Sequence, residues 1–138
     1  MEAHQQLTDQ EFAQQFAACT LPPQWFSHTA HLRLAWVLLK EHGLEATQKL
    51  MCEQIQNFDR THGDGTKYHR TLTEAAVQVV HHFVQKSKTQ SFDVLLEEFP
   101  RLHHNFKSLL LSHYSEQVLF ATEAQHAYAT PDIMHFPV

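Results

Sequence analysis

Apolar residues recur along this chain every three or four positions, in blocks separated by short polar or proline-bearing breaks, which is the period of helices packed on one side. Thr8-Asp9-Gln10-Glu11 has the form of a capping box, and the helix it opens carries Phe12, Ala13 and Phe16 on one side. Leu21-Pro22-Pro23 ends that helix and delivers Trp25 and Phe26 to the next element. Ser27 then caps a helix predicted over His28–His42, with Gly43 as its stop. Leu32, Leu34, Ala35, Trp36, Val37, Leu38 and Leu39 make it apolar nearly all round, so it is predicted to be the buried centre of the core.

A third helix is predicted from Leu44 to about His62, amphipathic through Leu50, Met51, Ile55 and Phe58, and broken by Gly63-Asp64-Gly65. A fourth runs from about Tyr68 to Gln85 and buries Leu72, Ala76, Val79, Val80 and Phe83. Beyond the polar stretch Lys86 to Gln90, Ser91 caps a short helix stopped by Pro100, and another passes through Leu102, Phe106, Leu109 and Leu110. The remainder to Tyr128 reads as short helices, with an extended tail from about Pro131. The expected fold class is all-α: one compact domain spanning residues 1–138, a bundle of five to seven helices.

Composition narrows the functions open to such a bundle. With 138 residues, 43% of them hydrophobic, the chain has the length and material for one core. Three glycines and five prolines are too few for a hairpin-rich β-fold. A net charge of -5 with ten Lys and Arg gives no groove for phosphates, so no nucleic-acid partner is expected. Neither a signal-type segment at the N-terminus nor an apolar run of membrane length is visible, so the expected setting is cytoplasmic, with no membrane partner. Cys19 and Cys52 stand alone and read as reduced packing residues.

Thirteen histidines, scattered rather than clustered, are the unusual feature. His28 and His31 lie three apart in the first turn of the most apolar helix, so they project to nearly one side. The positive end of that helix favours neutral rings, and neutral ring nitrogens are what a divalent metal needs. His69 stands in the matching place at the start of another helix. Together the three suggest a three-nitrogen metal site with a position left for water or substrate, and zinc and iron suit imidazole equally well. His62, Tyr68, His113 and Tyr114 are candidates for a supporting shell or substrate contact. No carboxylate has a place among the ligands, which weakens a di-iron reading. His81-His82 and His103-His104 read as solvated or rim pairs, since adjacent helical residues point about a hundred degrees apart.

The pattern Phe26-x-His28-x-x-His31-Leu32-x-Leu34-Ala35-Trp36, with His62-Gly63, Tyr68-His69-x-Thr71-Leu72-Thr73 and His113-Tyr114-Ser115, resembles that of a family of small uncharacterised bacterial proteins. The resemblance runs from about Trp25 to Asp132 and implies an all-helical fold without a settled activity. In that family an acidic residue often precedes the second histidine and another follows the Tyr-His pair; here Ala30 and Arg70 stand there. Three functions follow as expectations: a divalent-metal-binding protein, acting on a small substrate if it is an enzyme; an interaction or structural module; and a metal-free pocket in which a histidine serves a small ligand as acid or base.

Overall fold

Capping chemistry and helix-breaking residues divide the chain where the sequence pattern places its breaks, and the computed structural model, which describes residues 2–136, has helices as its regular structure, with no strand among those residues. The chain forms two compact units, Met1–Tyr68 and His69–Val138, which are described separately.

The first unit contains three helices, α1 (Asp9–Ala17), α2 (His28–His42) and α3 (Leu44–His62). Thr8 caps α1: its hydroxyl accepts from the Glu11 amide at 3.1 Å, while the Glu11 carboxylate accepts from the Thr8 amide at 2.9 Å. The capping hydrogen bonds hold the Glu11 carboxyl below the ordinary glutamate range. Ser27 caps α2 by accepting from the Ala30 amide, and its own hydroxyl donates to the Glu2 carboxylate. Gly43, at φ +81°, then turns the chain directly from α2 into α3.

Every residue of α2 from Leu32 to Leu39 is buried, as an all-round apolar helix requires, and that run includes Arg33. Its guanidinium donates to Asp9 Oδ1 through Nε and Nη2 and to the carbonyls of His4 and Leu7. It also lies over the Phe12 ring, 4.8 Å from the centroid. These bonds tie the N-terminal 3₁₀ turn Ala3–Gln6 and the start of α1 onto α2. At the far end of α3 the buried Asp59 carboxylate accepts from the Lys67 and Tyr68 amides, closing the loop. Gly63 sits so close that a Cβ there would meet Asp59 Oδ1 at 2.9 Å.

The second unit is built on α4 (Arg70–Lys86), followed by α5 (Phe92–Glu98), α6 (Arg101–His104), α7 (Phe106–Leu111), α8 (Glu116–Leu119) and α9 (Thr122–His126). Helix α4 buries Ala75, Ala76, Val77, Val79 and Val80 and packs against α7 and α9. Pro100 starts α6 immediately after α5, where its missing amide costs nothing. Tyr114 is fully buried and donates to the Ala129 carbonyl at 2.7 Å. Thr71 donates to the Ala127 carbonyl and accepts from the Ala129 amide, each at 3.0 Å. The C-terminal stretch then turns back over the segment after α7: the Ile133 amide donates to the His113 carbonyl and the Ser115 amide to Asp132.

All-helical character matches the expectation, but the described residues hold nine α-helices rather than five to seven. The excess comes from α6, α8 and α9, of four or five residues each, which are too short to show a 3.6-residue period. The expected tail beyond 131 lacks regular structure as far as 136; residues 137 and 138 lie outside the described residues. No helix among the described residues is long and apolar enough to cross a membrane.

Candidate functional site

Each predicted site histidine has a definite local environment. His31 packs against the Phe26 ring at a centroid separation of 5.3 Å. Its side chain is partly exposed, but Nε2 is sealed from solvent and has no hydrogen-bond partner. Burial, and then the neighbouring His28, lower its pKa from the ordinary 6.5 to about 4, so the ring is neutral across physiological pH. His28 is exposed at the opening of α2.

Phe26 belongs to an aromatic cluster with Phe16 and Phe58, the ring centroids 4.4 to 5.7 Å apart. His62 joins the same cluster through Phe58 at 4.6 Å, and its Nε2 donates to the Cys19 carbonyl at 2.7 Å. His31 and His62 thus border one aromatic cluster of the first unit. Tyr68 lies at the end of that unit, half-buried, with its amide held by Asp59.

His69, in the second unit, precedes α4 rather than lying within it, and serves as its N-cap. Nδ1 accepts from the Leu72 amide at 3.0 Å, and Nε2 donates to the Leu119 carbonyl at 3.1 Å. Both ring nitrogens are engaged by backbone, which fixes the neutral tautomer with its proton on Nε2. Burial lowers the pKa of the ring, against the opposing effect of the Leu119 bond. A metal at either nitrogen would displace a bond that holds the start of α4. Among the described residues no group of three or more His, Cys, Asp and Glu side chains is placed to hold a metal ion.

Tyr114 is a core residue, and burial raises its hydroxyl pKa first, ahead of the bond to Tyr128. His113 has a different setting. Its Nδ1 donates to the Met134 carbonyl at 2.8 Å, and its ring stacks on Phe136 at 4.1 Å. This ring forms part of the wall of a pocket of about 300 Å³ that lies wholly within the second unit.

Its apolar lining residues are Val79, Phe83, Leu109, Met134 and Phe136. Its polar groups among the described residues are His82, Lys86, Arg101, Ser112, His113 and His135, with no carboxylate among them. Helix α4 supplies Val79, His82, Phe83 and Lys86 from its last turns, at the i, i+3, i+4, i+7 spacing that puts side chains on one face. Burial is the first cause lowering the His82 pKa, followed by Lys86, His113 and His81.

Sequence reasoning singled out His113 but missed the rest of this pocket, and it read His82 as a rim residue. The i, i+3, i+4, i+7 set from Val79 to Lys86 was a usable signal. Arg101 and the tail residues were not, because only the return of the chain brings residues 134–136 beside α4. Arg33 was also missed, although a single arginine within eight otherwise apolar positions of α2 marks a buried cation in need of partners. Comparison with protein-family models, with curated proteins and with solved structures gives no match.

Proposed function

We propose that this chain is a small-molecule-binding helical protein whose ligand occupies the pocket of the second unit, held by the protein's own side chains. The observation that carries this reading is a cavity of about 300 Å³ lined by both apolar and polar side chains. Ligand sites have that make-up, at volumes of ~300–1,000 Å³. The part of the lining built from Met134, His135 and Phe136 depends on the tail bonds to His113 and Ser115. Titrating ¹⁵N-labelled protein with benzyl alcohol is expected to give saturable amide shifts at Val79, Phe83, Leu109 and Ser112. Shifts confined to other residues contradict the reading.

A second reading, divalent-metal binding at His28 and His31, is favoured by one observation: the buried Nε2 of His31 is neutral and unpartnered. Two imidazoles from one turn supply only part of a coordination shell. On this reading, tag-free protein binds zinc stoichiometrically, as measured by elemental analysis, and loses it in His31→Ala. Metal-free protein whose melting temperature does not respond to added zinc contradicts it.

A further inference from the structure

The charges around the pocket go further than its shape. We propose that its ligand is a small organic anion, an anionic headgroup on an apolar body about the size of one aromatic ring; this rests on the pocket being the binding site.

Lys86 and Arg101 supply two permanent positive charges at its edge, and neither makes an ion pair with another described residue. Opposing them is the carbonyl end of α4, which carries the equivalent of about half a negative charge. Two full charges outweigh it, and among the described residues no Asp or Glu lines the cavity to neutralise the remainder. A cation entering here would meet uncompensated repulsion. An anion would meet donors.

His82 strengthens the same preference. Protonation of His82 is opposed by burial and then by Lys86 and His113; an anion lying among these groups offsets the latter two. The apolar lining residues Val79, Phe83, Leu109, Met134 and Phe136 have nothing to offer a second charged or strongly hydrated group. A ligand with one anionic group on an apolar body satisfies both kinds of lining residue, while inorganic phosphate or sulfate would satisfy only the polar ones.

The test is calorimetric titration of the full chain with benzenesulfonate, which stays ionised at every pH used, and with benzyl alcohol, which carries a similar ring without the charge. At pH 6 and low salt, benzenesulfonate is expected to bind at least about tenfold more tightly. Lys86→Gln/Arg101→Gln is expected to abolish that difference. Both side chains are exposed, so the variant is expected to melt as the parent does. Equal affinities in the parent, or a preference that survives in the double variant, overturn the anion assignment while the pocket remains a binding site. Failure of both probes to bind overturns the pocket reading and the assignment with it.

Discussion

At the scale of single residues, similar sequence settings lead to different physical roles. His31 and His69 both stand near helix starts, yet one ring has an unpartnered buried nitrogen and the other spends both nitrogens on backbone. Spacing along the chain identified His28 and His31 as neighbours because helical geometry is local. What occupies the nitrogens of His69 depends on Leu119, fifty residues away, and no local pattern contains it. His31 also makes a stability prediction. Its pKa is about 4 in the fold against an ordinary 6.5, so between those values the unfolded chain binds the extra proton. The stability this ring contributes is complete above about pH 6.5 and is lost as the pH falls, by ~1.4 kcal/mol per unit and at most about 3 kcal/mol in all. His31→Phe, which keeps the stack on Phe26, is expected to flatten the fall in urea-derived stability between pH 7 and 5. Parallel profiles for the two proteins contradict this account.

Among elements, the longest helices were the most legible. Predicted and observed limits agree for α2 and α3, because Ser27, Gly43 and Gly63 punctuate strong apolar periods. The N-terminal 3₁₀ turn was not foreseen: its anchor is Arg33, twenty-six to twenty-nine residues along the chain from the carbonyls it holds. Arg33→Met keeps the apolar stem but leaves Asp9 and two carbonyls without their donor. Breaking a buried pair costs ~3–5 kcal/mol, but Asp9 is 47% exposed and can rehydrate, so the expected loss is about 2 kcal/mol. Amide exchange at Gln5 and Leu7 is expected to speed up more than exchange within α3. Unchanged protection at those two amides would show that the guanidinium does not hold the turn.

Across the whole molecule, the helical class was readable from composition and period, whereas the pocket was not. Its two cations stand at positions 86 and 101, brought together by the fold of the second unit, and its apolar lining is completed by Met134 and Phe136 from a stretch that carries no helical period. The residues that looked most like chemistry, the pair opening α2, belong to a different unit from this cavity. The most direct measurement of the central claim is therefore a search for intermolecular NOEs between bound benzenesulfonate and the side chains of the second unit. The account predicts cross-peaks from the probe ring to Phe83, Leu109 and Met134. Cross-peaks instead to the Phe16, Phe26 and Phe58 cluster of the first unit would contradict it.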